Sequence, residues 1–228
     1  MTPSAAPDSR VNFIFISGRP GGGKDTQAEM LAASYPNIVH INPGAIFRKA
    51  QNPLDAKYGQ YYDLIFPEIE RMNRGEIIDM ATATVILTSV IDQEIEAGSR
   101  TFAFAGMPRT AKHFELVDGL TSLANDRGLP VRSLYLYLAA LRETSLQRIS
   151  IRREGGALAE VRADDSIDAV ARRLDGFEEE TKPAIKEALR RAKSNSGEFM
   201  FRIIRGDRDP EIIHQQIAVE IDRFFGSK

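Results

Sequence analysis

Between the apolar run Val11-Asn-Phe-Ile-Phe-Ile16 and a segment with helical spacing lies Ser17-Gly-Arg-Pro-Gly-Gly-Gly-Lys-Asp-Thr-Gln-Ala28. Residues Gly18 to Lys24 fill the first seven positions of the pattern G-x-x-x-x-G-K-[ST]. The residue types dictate a chemistry. Gly18, Gly21, Gly22 and Gly23 leave successive peptide N–H groups unobstructed, so they can turn inward around an anion. A helix starting near Lys24 adds the partial positive charge of its N-terminus, and Lys24 itself adds a point charge suited to phosphate oxygens. A glycine-rich turn with no ligand is the alternative; four glycines and a lysine set between strand and helix speak against it. The eighth position breaks the pattern. It holds Asp25, and Thr26 follows one residue late. Two readings of that carboxylate stand side by side: it caps the helix, or it faces a cation that travels with a polyphosphate.

Further cations are spaced in a way that could serve the same anion. Arg148 and Arg152 are four residues apart and share one face of a helix. Arg162 and Arg173 are eleven apart, close to three helical turns. An arginine grips phosphate oxygens with a two-pronged fork and does not lose its charge. Any one of these alone reads as a solvated helix face. His40 and His214 carry no readable signal.

These groups need a scaffold, and the apolar pattern supplies one. Val11–Ser17, Ile38–Ile41, Thr101–Ala105, Arg132–Leu138 and Phe199–Ile204 read as strands, most of them continuously apolar, as strands covered on both faces should be. Helical patterns alternate with them at Lys24–Ser34, Asn42–Gln51, Asp79–Ala97, Thr110–Arg127, Leu141–Arg153, Asp164–Ala192 and Pro210–Phe225. Asn42-Pro43 and Asp79 are good helix starts, and Gly98 is a good stop. The alternation predicts a doubly wound α/β domain with right-handed crossovers.

The whole chain of 228 residues suits one domain. Its 43% hydrophobic and 27% charged composition can support a core. The formal net charge of −2 gives no global attraction to nucleic acid or an acidic membrane, so any anion site rests on local clustering of cations. With no cysteine, disulfides and thiolate metal sites are excluded, which fits a reducing cytoplasm. Residues 1–10 read as a disordered tail without the features of a signal peptide, and no apolar run approaches a membrane span.

The loop Gly18-Arg-Pro-Gly-Gly-Gly-Lys-Asp-Thr-Gln resembles that of adenylate kinase and its nucleoside monophosphate kinase relatives, G-x-P-G-x-G-K-G-T-Q, and the likeness runs in order along nearly the whole chain. The resemblance implies the P-loop NTPase three-layer fold, a five-stranded parallel sheet with helices on both faces. It implies a single domain over 11–228, with an acceptor-binding insertion at about 42–78 and a short lid at about 153–162. ATP would lie on Gly18, Pro20, Gly21, Gly22, Gly23, Lys24, Asp25 and Thr26, with Gly206 packed on its adenine. Ile41-Asn-Pro-Gly-Ala-Ile-Phe-Arg48 is similar to the segment that holds the acceptor monophosphate, which places Asn42, Pro43, Gly44 and Arg48 there. Gly106-Met-Pro-Arg109-Thr110 resembles D-G-F-P-R-T, whose arginine also grips the acceptor, and Glu76 and Ile78 fall where backbone meets the acceptor base. Arg148, Arg152 and Arg153 match arginines that open the lid; Arg162, Asp164, Asp165 and Arg173 are similar to the R-x-D-D…R pattern that closes it. The two aspartates orient lid arginines in the family and also suit a helix cap.

Four positions depart from the family pattern. Asp25 replaces a glycine. Ala105 stands where the aspartate that holds the water shell of Mg²⁺ should be. Pro43 replaces threonine, or the alanine of UMP/CMP-type relatives, and His113 replaces the glutamine that pairs with the acceptor adenine. Asp25 pointing at the metal in place of the missing carboxylate is one expectation; a cap without a metal role is the other. The resemblance implies a Mg²⁺-assisted adenylate kinase, ATP and AMP giving two ADP, acting as a monomer. The alternatives are a UMP/CMP or other monophosphate kinase, and a nucleotide-binding homologue with impaired catalysis.

Overall fold

The structure is a computed structural model that describes residues 10–153, 167–195 and 197–226. Five strands, β1 (Val11–Gly18), β2 (Ile38–Ile41), β3 (Thr101–Ala105), β4 (Val131–Ala139) and β5 (Phe199–Arg205), form one sheet in the order β2-β3-β1-β4-β5, every pair parallel. The helices are α1 (Lys24–Ser34), α2 (Pro43–Ala50), α3 (Tyr62–Ile65), α4 (Ile69–Asn73), α5 (Met80–Glu96), α6 (His113–Asp126), α7 (Arg142–Arg153), α8 (Ile167–Gly176), α9 (Lys182–Ser194) and α10 (Pro210–Phe225).

The continuous apolar strands make sense once both faces are covered. On β1, Phe13 and Phe15 turn to one face with Phe102, Phe104 and Tyr135, against Ile86, Leu87, Val117, Leu120 and Ala188 of α5, α6 and α9. Ile14 and Ile16 turn to the other with Leu134 and Leu136, against Leu31 of α1 and Ile213, Ile217 and Phe224 of α10. Strand alternation thus feeds two cores, one on each side of the sheet, giving three layers. At about 25 cal/mol per Å² of apolar surface removed from water, these two cores are the chief stabilising term of the fold.

The helix starts follow their side chains. Asn42 Oδ1 accepts the Ala45 N–H at 2.9 Å and Pro43 fills the first turn of α2. Asp79 Oδ2 accepts from the Ala81 N–H at 2.8 Å at the head of α5. Two stretches differ from the sequence reading. The pattern through Ala192 predicts one helix, but α8 and α9 are separated by a π-helical turn at Phe177–Thr181. Pro183 lacks the N–H that an α-ladder needs and its ring opposes the carbonyl four residues back, so the run changes geometry just before it. Between α2 and α5 the chain also forms short helical turns, Gly59–Tyr61 and Phe66–Glu68, around α3 and α4. The predicted helix starts at Thr110 and Leu141 shift to His113 and Arg142. No helix among the described residues is long and apolar enough to cross a membrane.

Strand order decides where a site can form. β1 and β3 are neighbours, and the chain leaves β1 through α1 on one face of the sheet and β3 through α6 on the other, opening a crevice at the carboxyl ends of the strands. Ile16 is level with Ala105, and Gly18 with Leu138, so the loops after β1, β3 and β4 share one edge.

Candidate functional site

A cleft of about 920 Å³ opens at that edge. The loop after β1 forms its floor. Gly21 (φ +71°) and Gly23 (φ +85°) adopt left-handed backbone, and a Cβ on Gly21 would lie 2.6 Å from the Ser145 carbonyl oxygen, so this turn is closed to other residues. Gly23 caps α1, which aims the helix N-terminus at the cleft. Lys24 Nζ donates to the Arg19 carbonyl at 2.7 Å, and its stem crosses Gly106, where an added Cβ would be 3.5 Å from Lys24 Cε. The ammonium therefore lies between the loops after β1 and β3. Arg19 turns to the lid-side helices: its guanidinium sits 4.5 Å from the centre of the Phe177 ring, with Nη1 2.6 Å from Glu178 Oε1. That clamp ties the loop to the π-helical turn, whose Phe177 and Thr181 line the cleft.

Asp25 and Asn42 are bonded across the cleft wall. Asn42 Nδ2 donates to Asp25 Oδ1 at 3.0 Å while its Oδ1 is occupied by the Ala45 N–H, so both ends of the amide are fixed. The first turn of α1 is thereby joined to the start of α2. Arg48, one turn farther along α2, folds back over Gly44, where a Cβ would come 3.3 Å from Arg48 Nη1. Asp25, Thr26, Asn42, Pro43, Gly44 and Arg48 all line the cleft. Glu76 and Ile78 line it too, the Glu76 carboxylate bonded to Arg74 Nε at 2.7 Å, which holds it below the usual carboxylate range.

The loop after β3 adds Gly106, Arg109 and His113 to the wall. The Arg109 peptide N–H donates to His113 Nδ1 at 3.0 Å. His113 is 9% exposed, and burial first, then the Arg109 charge, pushes its pKa down to about 4. The ring is neutral at pH 7. Ala105 is buried in the same wall and brings no carboxylate.

From the lid side, Arg148 and Arg173 face the cleft. Arg148 lies beside Gly23 and donates Nη1 to the Gly206 carbonyl and Nη2 to the Arg208 carbonyl, each at 2.8 Å. It holds the loop after β5, where Gly206 is bonded through its N–H to the Ala139 carbonyl. Arg172 Nε reaches the Arg74 carbonyl at 3.1 Å, joining α8 to the insertion after α2. Arg162, Asp164, Asp165 and the expected lid from Glu154 onward lie outside the described residues, as do the side chains of Arg152 and Arg153. Gln51, Met72, Phe177 and Thr181 line the cleft without having been singled out in the sequence. The sequence offered no signal for any of the four.

A magnesium ion carried by ATP fits this wall better than a protein-held metal. No group of three or more His, Cys, Asp or Glu among the described residues could hold an ion. A single carboxylate beside a phosphate loop is the donor set Mg²⁺ uses when phosphates and water complete its shell, and Asp25 is placed to be that carboxylate.

The chain is similar to known proteins along most of its length. The family model described as adenylate kinase matches residues 16–192. A uridylate kinase of Saccharomyces cerevisiae is 26% identical over 184 residues, covering 81% of this chain and 80% of its own. An adenylate kinase of Synechococcus is 28% identical, covering 79% of this chain and 86% of its own. UMP-CMP kinase 1 of Oryza sativa is 23% identical, covering 92% and 74%.

Proposed function

Because the chain belongs to the adenylate kinase family, we propose that it transfers the γ-phosphoryl group of ATP directly to a nucleoside monophosphate, reversibly giving two diphosphates. One observation carries the reading: Lys24, Arg48, Arg109 and Arg173, from four separate parts of the chain, line a single cleft floored by the glycine loop. A cleft that only bound one nucleotide would have no use for cations at both ends.

The chemistry asks for position and charge rather than a strong base. An oxygen of the acceptor phosphate forms the new bond to the γ-phosphorus, and the bond from that phosphorus to the β-γ bridging oxygen breaks, with the electron pair leaving on ADP. Lys24 and the loop N–H groups hold the β- and γ-phosphates. Arg48 and Arg109 hold the acceptor phosphate in line. Arg173, with Arg152 and Arg162 of the lid, offsets charge on the moving group. Arg148 works beside them from the ATP side, fixing the Gly206 loop on which the adenine packs. Asp25 would hold Mg²⁺, which offsets the charge of the phosphates when bound with ATP. The lid that the resemblance implies at about 153–162 would exclude water on closing, protecting ATP from hydrolysis.

AMP is the acceptor that the motif resemblance implies. A second reading, an acceptor other than AMP, is favoured by His113, which stands where the family's glutamine meets adenine. An ADP-release assay over a panel of monophosphates, with and without Mg²⁺, tests the reading. Transfer to at least one acceptor, dependent on Mg²⁺ and lost in Lys24→Ala, is the expected result. ATP binding with no transfer to any nucleotide would contradict it.

A further inference from the structure

The side chain of Arg19 leaves the cleft that its neighbours build. Gly18, Pro20, Gly21 and Lys24 line the cleft, whereas the Arg19 guanidinium lies over the Phe177 ring, 4.5 Å from its centre, with Nη1 2.6 Å from Glu178 Oε1. The Arg19 side chain is 15% exposed, so this contact is largely shielded from water. Glu178 is held in turn by Lys182, which pairs with its other carboxylate oxygen. A phosphate cradle asks nothing of the side chain at this position, since the pattern leaves it open and only its backbone enters the loop. The arginine answers to the helices opposite.

The carbonyl of the same residue has two tasks inside the loop. It accepts the Gly22 N–H at 2.9 Å, which closes the turn, and Lys24 Nζ at 2.7 Å. The turn is packed tightly on that oxygen, because a Cβ on Gly22 would lie 2.8 Å from it. Where the Arg19 carbonyl goes, the loop turn and the Lys24 ammonium go with it. On the far side of the clamp, Phe177 follows Arg173 by four residues, one helical turn, and both line the cleft. Arg19 is thus a joint between two cations of the site. It reaches Lys24 through its carbonyl and Arg173 through the ring on which its guanidinium rests.

We propose that Arg19 is a positioning residue for phosphoryl transfer: its clamp on Phe177 and Glu178 sets the separation of the Lys24 ammonium and the Arg173 guanidinium. This rests on the monophosphate-kinase reading above. The Arg19 side chain lies outside the cleft wall, so it acts through the groups that line it. Removing it leaves those groups in the chain and loosens their spacing, and a misplacement of about 1 Å costs on the order of 10²-fold in rate. The loss falls on kcat, because bound ATP still meets the glycine N–H groups. A clamp that only stabilised the fold would lower the unfolding temperature and leave the turnover of the folded enzyme as it was.

The test compares Arg19→Ala, Arg19→Lys and Glu178→Gln, assayed with ATP and whichever monophosphate the unaltered protein phosphorylates best, at a temperature where circular dichroism shows each variant folded. Arg19→Ala is expected to lower kcat about tenfold to 10²-fold while the KM for ATP moves less than about threefold. Arg19→Lys keeps the charge without the planar fork that stacks on a ring, and should recover part of the lost kcat. Glu178→Gln should lose less than Arg19→Ala, since the ring contact stays, and the double variant should lose less than the product of the two single effects. If Arg19→Ala does not fold, Arg19→Lys and Glu178→Gln carry the same readout, and an unaltered kcat in both would overturn the proposal. An unaltered kcat in folded Arg19→Ala, a loss carried wholly by the KM for ATP, or strictly multiplicative losses in the double variant would overturn it as well. Each of these leaves the kinase reading intact. No transfer by the unaltered protein to any monophosphate would overturn the kinase reading itself and this proposal with it.

Discussion

At the end of the cleft proposed for ATP the lining is made largely of backbone: glycine N–H groups, the N-terminus of α1 and a lysine whose stem lies across Gly106. At the acceptor end it is made of side chains, Arg48, Arg109, His113 and Asn42, each set by a different element. Backbone geometry tolerates little substitution, since a Cβ at Gly21 would collide with the Ser145 carbonyl. Side chains can be exchanged one at a time. The departures at Pro43 and His113 fall on the side proposed for the acceptor, Ala105 falls at the position expected to serve the metal, and Asp25, the one departure in the glycine loop, is bonded to Asn42 across the divide. On the proposed reading the two ends answer separate questions: the loop would decide that a triphosphate binds, and the facing wall what receives the phosphoryl group.

The sharpest way to break this comparison is to remove the cation of the glycine loop. Lys24→Ala should lower kcat/KM for transfer on the order of 10³-fold, measured by steady-state kinetics, because a preorganised charge is lost where charge moves. Arg109→Ala should cost on the order of 10²-fold, with the KM for the monophosphate rising more than the KM for ATP. An equal rise in both would mean that the two ends are not separable.

His113 also couples the acceptor wall to pH. Its folded pKa, about 4, is depressed below the ordinary value of 6.5. Between those values the unfolded chain binds a proton that the folded protein does not, so stability is complete above pH 6.5 and falls as the pH drops toward 4. The full loss is roughly 3 kcal/mol. Urea unfolding at pH 7 and pH 4.5 should show a smaller acid loss in His113→Gln than in the unaltered protein. A smaller effect is expected at the bridge between the ends: Asn42→Ala should destabilise by about 1 kcal/mol through the lost α2 cap, and should change the Mg²⁺ dependence of transfer in the same direction as Asp25→Asn. Unchanged Mg²⁺ dependence in Asp25→Asn would leave Asp25 as the partner of Asn42 in the first turn of α1, which Gly23 caps, and nothing more.

Much of this was legible in the residues. The strand pattern placed β2 at Ile38–Ile41 and β3 at Thr101–Ala105, as observed, because buried parallel strands leave uninterrupted apolar runs between turn residues. The cleft floor was legible for a similar reason: glycine spacing and a lysine are a local code. What was not legible is what tertiary packing decides. The short helices from Gly59 to Asn73 are too brief for periodicity to show and include Pro67; they take shape where Tyr61 and Ile65 bury. The Asn42–Asp25 bond, the Arg19–Phe177 clamp and the two carbonyls held by Arg148 join residues from different elements, and no spacing rule reports such pairs. The tautomer of His113 was equally hidden, since it depends on one peptide N–H four residues back in the chain.

The most direct test is a crystal structure with a dinucleoside polyphosphate that spans both ends. The account predicts one molecule lying along the cleft, its donor phosphates on the glycine loop and Lys24, and its far phosphate within about 3 Å of Arg48 and Arg109. A molecule bound elsewhere, or bound here with Arg48 and Arg109 turned away from its phosphates, would contradict it.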